Sequence, residues 1–408
     1  MSAADPSTYF RKGFGLKTEV EATLATDYTG RLVDLLRARD YVLTGGPVTV
    51  RLAREFGFCY GVERAVEYAY QTRAKFPDRR IFLAGEIIHN PHVNAKLREM
   101  GVVFLSPGER GFDYSQVRPE DVVILPAFGV TLGDFETLRA LGCVMVDTTC
   151  GSVLNVWKRV DRYAAEGFTS LIHGKHYHEE TRATASQVEK YPGGTYLVVR
   201  NMEQAREVCA FIEGRGMSRA AFLDRFRAQA SPHFDPDLHL SRLGVANQTT
   251  MLARESLAIG EELGQAMLRA HGDAYHAANF RTFDTICSAT QDRQDAVNAL
   301  LRDPLDLMLV IGGYNSSNTI SLAALCADRV TTYHVSDASC LDAAQGVIRH
   351  LPLGATAEVE TPDWLGRSTG NGTVRVGVTA GASTPNNKIG EAVARIFATR
   401  GVDPGSLV

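Results

Sequence analysis

Cys143-Val144-Met145-Val146-Asp147-Thr148-Thr149-Cys150-Gly151-Ser152-Val153, running on through Val156 and Val160 to Ala165, sets the fold. Cys143–Asp147 is a short, nearly continuous apolar run, which suits a parallel strand covered on both faces. From Val153 the apolar residues return at intervals of three and four, the period of a helix with one buried side. A strand passing through a short polar turn into a helix is half of a βα repeat and predicts a parallel sheet.

The alternation extends in both directions. Candidate strands Val48–Leu52, Arg80–Ala84, Val102–Leu105 and Asp121–Pro126 come before this stretch. Ser170–His173, Thr195–Val199, Leu243–Ala246, Leu307–Ile311, Thr331–Val335 and Val374–Thr379 come after it. Helical patterns such as Val62–Lys75, Val153–Ala165 and Arg293–Arg302 lie between them. The fold class is therefore α/β. At 408 residues the chain is too long for one core. The expected division is an N-terminal extension over 1–46 and three α/β domains over 47–149, 150–286 and 287–408, with strand 48–52 a candidate to pair with the third. Tyr28–Arg39 has helical periodicity. The segment 215–241 ends in the turn-rich Ser231-Pro232-His233-Phe234-Asp235-Pro236-Asp237 and reads as an insertion or surface excursion.

Composition removes several function classes. Net charge is −4 without long charged runs, so no basic face for nucleic acid is expected. No apolar stretch approaches the roughly 18 residues that cross a bilayer. Met1–Leu16 lacks an apolar signal core. Seven cysteines, an odd number with no C-x-x-C pair, imply reduced thiols and a cytoplasmic chain. Cys143, Cys209, Cys326 and Cys340 lie in apolar or helical stretches and are expected to be core thiols.

The other three share a position. Gly57-Phe58-Cys59-Tyr60-Gly61-Val62, Asp147-Thr148-Thr149-Cys150-Gly151 and Asp284-Thr285-Ile286-Cys287-Ser288 each place a cysteine where an extended segment enters a helix. Unpaired N–H groups and the positive end of the helix dipole favour thiolate there, the form that binds metal. One such thiolate per domain suits a shared metal site; the pattern alone also suits packing cysteines.

Polar loops follow several strands. They contain His89, His173-Gly174-Lys175-His176-Tyr177-His178-Glu179-Glu180, Asn247-Gln248-Thr249-Thr250, Asn315-Ser316-Ser317-Asn318 and Thr379-Ala380-Gly381-Ala382-Ser383. Hydroxyls, amides and helix N–H groups at strand ends suit phosphate oxygens. The same residues also serve as helix caps. No Walker or G-x-G-x-x-G loop is present.

Over residues 9–400 the chain resembles the 4-hydroxy-3-methylbut-2-enyl diphosphate reductases. Gly57–Ala65, Glu86–Asn90, Asp147–Cys150, His178–Thr184, Asn247–Thr250, Asp284–Gln291, Asn315–Thr319 and Thr379–Pro385 carry the likeness, in order. Arg11–Gly15, Leu125–Gly129 and His173–Lys175 are similar to the branch of cyanobacteria and plastids. The resemblance implies three similar α/β domains arranged as a trefoil around one [4Fe–4S] cluster per chain, held by Cys59, Cys150 and Cys287. It implies reductive dehydroxylation of an allylic diphosphate to isopentenyl and dimethylallyl diphosphates, with Glu180 delivering a proton. His178 and Thr249 would lie beside the substrate. Ser316, Ser317, Asn318, Ser383 and His89 would cradle the diphosphate.

Ferredoxin or flavodoxin would supply electrons, to a monomer or homodimer without nucleic-acid or membrane partners. Two departures stand out. Phe128 occupies a place where many bacterial members have a diphosphate-binding histidine, with Lys175 or His176 as candidate replacements, and Gly151 follows Cys150 where the family usually has proline. The competing readings are a zinc lyase or hydrolase using the three cysteines with His178, and a cluster-bearing sensor.

Overall fold

A computed structural model describes residues 8–108, 111–283, 285–366 and 372–407. The chain forms two compact units interleaved along the sequence. The first takes residues 1–12, 78–87 and 101–287, the second 13–77, 88–100 and 288–408.

The first unit holds two parallel sheets. One runs Tyr9–Phe10, Val144–Asp147, Val122–Leu125, Ile81–Leu83, Val102–Phe104. The other runs Tyr196–Val199, Thr169–His173, Leu243–Asn247, Phe280–Thr282. Val122–Leu125, Val144–Asp147, Thr169–His173 and Leu243–Asn247 are buried at every residue, which is why they read as mainly apolar runs with polar residues toward their ends. Each strand expected from such runs forms within one residue of its expected bounds.

The second unit holds a five-stranded sheet in the order Thr332–Val335, Leu307–Ile311, Val374–Ala380, Val48–Leu52, Val42–Gly45. Its pairings are parallel except the last. Val48–Leu52 thus lies between its own hairpin partner and a strand from the far end of the chain. Leu36, Leu43, Val376, Ile389 and Phe397 help fill the core on this sheet. Among the described residues, no helix is long and apolar enough to cross a membrane.

Two local expectations are corrected. Tyr28–Arg39 is not one helix: Lys17–Tyr28 ends and Arg31–Ala38 begins anew. Gly30, between them, is extended, and a Cβ there would fall 2.6 Å from the Asn386 carbonyl oxygen. The backbone contact requires glycine at that point, and the extended residue ends the helical run. Nor is 215–241 a surface excursion. Helix Arg219–Arg225 turns Phe222 inward, and Phe222, Phe226 and Phe234 join the core of the four-stranded sheet. Gln229 Nε2 donates to the Val198 carbonyl at 2.8 Å. The turn residues near 231–237 masked an apolar spacing of four.

Candidate functional site

The three cysteines singled out by position are also set apart by exposure. Cys59, Cys150 and Cys287 are partly exposed, whereas Cys143, Cys209, Cys326 and Cys340 are buried. Burial pushes the Cys143 thiol up to about 11 and those of Cys209 and Cys326 up to about 12. These are inert core thiols.

In the first unit, Cys150 is the N-cap of helix Gly151–Ala165. Burial raises its thiol pKa, while the amides of Ser152 and Val153 pull the other way by favouring thiolate. The Ser152 hydroxyl donates to Cys287 Sγ at 3.2 Å, so the two cysteine loops meet at the start of this helix. The turn before Cys150 is braced. Asp147 Oδ1 accepts from the Thr149 amide at 2.9 Å, and Asp147 Oδ2 accepts from the Tyr9 hydroxyl at 2.5 Å. Arg11 adds an ion pair at 3.6 Å. Composition and periodicity carry no sign of this use of the N-terminal segment.

The adjacent parallel strands Thr169–His173 and Leu243–Asn247 deliver the next group. They are in register from Thr169 with Leu243 to His173 with Asn247, so their following loops leave the same sheet edge. His178 caps helix Glu179–Ala185, its Nδ1 accepting from the Glu180 amide at 3.2 Å. Glu180 is 1% exposed, and its Oε1 accepts from the Thr249 amide at 2.6 Å. Gln248 ties the two loops together: its Oε1 accepts from Thr181 Oγ1 and from the Lys175 amide, both at 3.1 Å. Nothing in the residues around Gln248 marks it for this role. Phe128 lies edge-on to His178, ring centroids 5.5 Å apart. Thr285 Oγ1 accepts from the Asn247 amide at 3.1 Å and thereby fastens the segment leading to Cys287. Asp284, part of the same motif, lies outside the described residues.

The second unit gathers the remaining residues. Cys59 is the N-cap of helix Tyr60–Lys75, and its amide donates to the Ala382 carbonyl at 3.2 Å. The Ala382 amide donates to Asn318 Oδ1 at 2.8 Å. The Ser383 hydroxyl donates to the His89 carbonyl at 3.2 Å, and Asn315 Nδ2 lies 3.2 Å from His89 Nδ1. Ser316 caps helix Ser317–Ala327, whose first turn contains Ser317 and Asn318. His89, Ser316, Ser317, Asn318 and Ser383 are all buried polar side chains. Among the described residues, Asn318 Nδ2 is buried without a hydrogen-bond partner. An unmatched amide donor is costly unless an acceptor comes to it. Arg293, which sequence reasoning missed, is 3% exposed and donates from Nη2 to the Gly57 carbonyl at 2.7 Å, steadying the turn before Cys59.

The family model for LytB protein matches residues 50–397. A 4-hydroxy-3-methylbut-2-enyl diphosphate reductase of Gloeobacter violaceus is 48% identical over 97% of this chain and 93% of its own length. One of Thermosynechococcus vestitus is 46% identical over 97% and 95%. A solved (E)-4-hydroxy-3-methyl-but-2-enyl diphosphate reductase, described as the terminal enzyme of the non-mevalonate pathway, is 27% identical with a TM-score of 0.51. The match spans 85% of this chain and 98% of that one.

Proposed function

The chain belongs to the LytB protein family, and from that premise we propose that it reduces (E)-4-hydroxy-3-methylbut-2-enyl diphosphate to isopentenyl and dimethylallyl diphosphates. This is the last step of the methylerythritol phosphate route to isoprenoids. The observation that carries the reading is the likeness to reductases of that name along 97% of the chain. The reaction breaks an allylic C–O bond, forms a C–H bond and releases water. It consumes two electrons and two protons.

Cys59, Cys150 and Cys287 would hold a [4Fe–4S] cluster. Their partial exposure gives access, and their places at helix starts supply amides that favour thiolate, which at Cys150 work against the burial that raises its pKa. Such a cluster, with one iron lacking a protein ligand, supplies electrons and a Lewis-acid position.

Glu180 holds the proton. It is buried, so its proton is shielded from bulk water, and the Thr249 amide fixes the carboxyl's direction. His178 accepts at Nδ1, so a neutral ring carries its own proton on Nε2. His89, Ser316, Ser317, Asn318 and Ser383 bind the diphosphate through hydrogen-bond donors. The unmatched Asn318 Nδ2 is the strongest support for that assignment. Phe128 makes a T-shaped ring contact with His178 and offers no hydrogen-bonding group. The enzyme works in the cytoplasm with ferredoxin or flavodoxin as donor.

Anaerobic reconstitution with iron and sulfide, then turnover of the hydroxylated diphosphate with reduced methyl viologen, tests the proposal. Both C5 diphosphates are the expected products. Cys59→Ser, Cys150→Ser and Cys287→Ser should each lose iron and turnover, while Cys326→Ser keeps both. A fully loaded chain that leaves the substrate untouched overturns the reaction. A Cys287→Ser chain with full iron overturns the ligand assignment.

A further inference from the structure

A reductase that consumes two electrons must meet its donor at the surface, and one face of the first unit is built for such a meeting. Ser152 and Arg159 are seven residues apart on helix Gly151–Ala165, on one stripe about 10 Å long. The segment leading to Cys287 is anchored at both ends of that stripe. Ser152 Oγ reaches Cys287 Sγ at 3.2 Å, and the Arg159 guanidinium lies 3.9 Å from the ring centroid of Phe283. Phe283 is 39% exposed, an uncommon position for a large aromatic ring.

Around it stand more cations. Arg242 and Arg281 lie 4.3 and 5.2 Å from the Phe168 ring centroid, and Arg162, on the same helix stripe as Arg159, pairs with Glu166 at 2.7 Å. Glu166 is set against three of these arginines: its hydrogen bond to Arg162, with the charges of Arg281 and Arg242, holds its carboxyl below the usual range. The chain as a whole is acidic, at −4, so this cationic face runs against its average.

We propose that the face formed by Arg159, Arg162, Arg242, Arg281 and Phe283 is the docking site of a small acidic one-electron carrier protein. The proposal rests on the reductase reading above. A carrier that gives up one electron per visit is oxidised twice for each C–O bond reduced, so it must bind and leave twice per turnover. Charges at the surface, here the exposed Arg162 with the partly exposed Arg159, Arg242 and Arg281, suit that demand, because they speed encounter without the slow release of a large apolar interface. The exposed ring supplies a small apolar centre within a cationic rim.

The test uses the reconstituted enzyme and an oxidised plant-type ferredoxin as probe. Arg159→Glu/Arg281→Glu should raise the Kd for ferredoxin about 10-fold or more at low salt. The difference should shrink as NaCl rises. Turnover with ferredoxin should fall in parallel. Arg159 also holds Phe283, so the separating variant is Arg162→Glu, whose partner is Glu166; it should weaken ferredoxin binding in the same salt-dependent way while turnover with reduced methyl viologen stays within about twofold of the parent.

If both variants bind ferredoxin as the parent does, the docking proposal is overturned. A parent that binds single-stranded DNA as tightly as ferredoxin overturns it too, in favour of nucleic acid. A parent that turns over with neither donor overturns the reductase reading instead.

Discussion

Glu180 Oε1 and the Thr249 amide nitrogen are 2.6 Å apart, joining loops from two neighbouring parallel strands. Glutamine keeps an oxygen for that bond and cannot cycle a proton. Glu180→Gln should therefore retain fold and iron yet lose turnover by 10²–10⁴-fold or more, roughly the contribution of general acid–base catalysis. Glu179, whose side chain is 45% exposed, is the control. Measuring kcat for Glu180→Gln and Glu179→Gln at equal iron content decides the matter. Near-parent rates for both would move the proton source elsewhere.

Asn318 gives its Oδ1 to the Ala382 amide and keeps Nδ2 for something else. Asn318→Asp preserves the first bond and replaces the donor with an anion. Burying that anion should lower thermal stability, and in the folded variant the substrate's KM should rise about 10-fold or more, as expected when a charge-assisted hydrogen bond is lost. An unchanged KM would place the diphosphate away from this loop.

Tyr9 reaches Asp147, which in turn orders the turn ending in Cys150. Tyr9→Phe keeps the ring and deletes one hydrogen bond to a carboxylate. It should cost about 1–3 kcal/mol of stability and speed iron loss in air. Unfolding midpoints and timed iron assays measure the two effects. A variant matching the parent in both would make the N-terminal strand incidental to the Cys150 loop.

His173 and His334 titrate at about 4 because burial disfavours their charged forms. In the unfolded chain each accepts a proton near 6.5. Both folded pKa values are depressed, so the neutral native state is favoured above 6.5. Stability then falls as pH drops from about 6.5 toward 4, by roughly 2 kcal/mol per histidine between pH 7 and 5. Urea midpoints at the two pH values should show the fall, and His173→Asn should show less of it. A midpoint equal at both pH values contradicts the prediction.

The features legible in the amino-acid sequence are strongly local. Continuous apolar runs mark the buried strands, since residues covered on both faces carry the signal themselves. The three junction cysteines are visible because a strand end and a helix start are both local events along the chain. Two edge strands are not visible: Tyr9–Phe10 and Phe280–Thr282 lack the apolar run that marks the equally short edge strand Val102–Phe104. Contacts made by distant residues are also hidden. Neither Tyr9 with Asp147 nor Arg293 with Gly57 has a local signature, because each bond joins segments that only the tertiary fold brings together. The break at Gly30 depends on the Asn386 backbone, which no window around residue 30 contains.

The pairing of Val48–Leu52 with Val374–Ala380 has a consequence for the order of synthesis. A ribosome releases the first of these strands long before it makes the second. Until then Val48–Leu52 has its hairpin partner on one side and an unpaired edge on the other, and such edges invite association with other chains. The Cys59 amide likewise waits for the Ala382 carbonyl. This unit therefore closes through its most distant contacts, the slow kind in folding. A nascent chain stopped before Val374 has made Cys59 but cannot yet fix it in place, so the proposed metal loading at that residue belongs after this strand has been made.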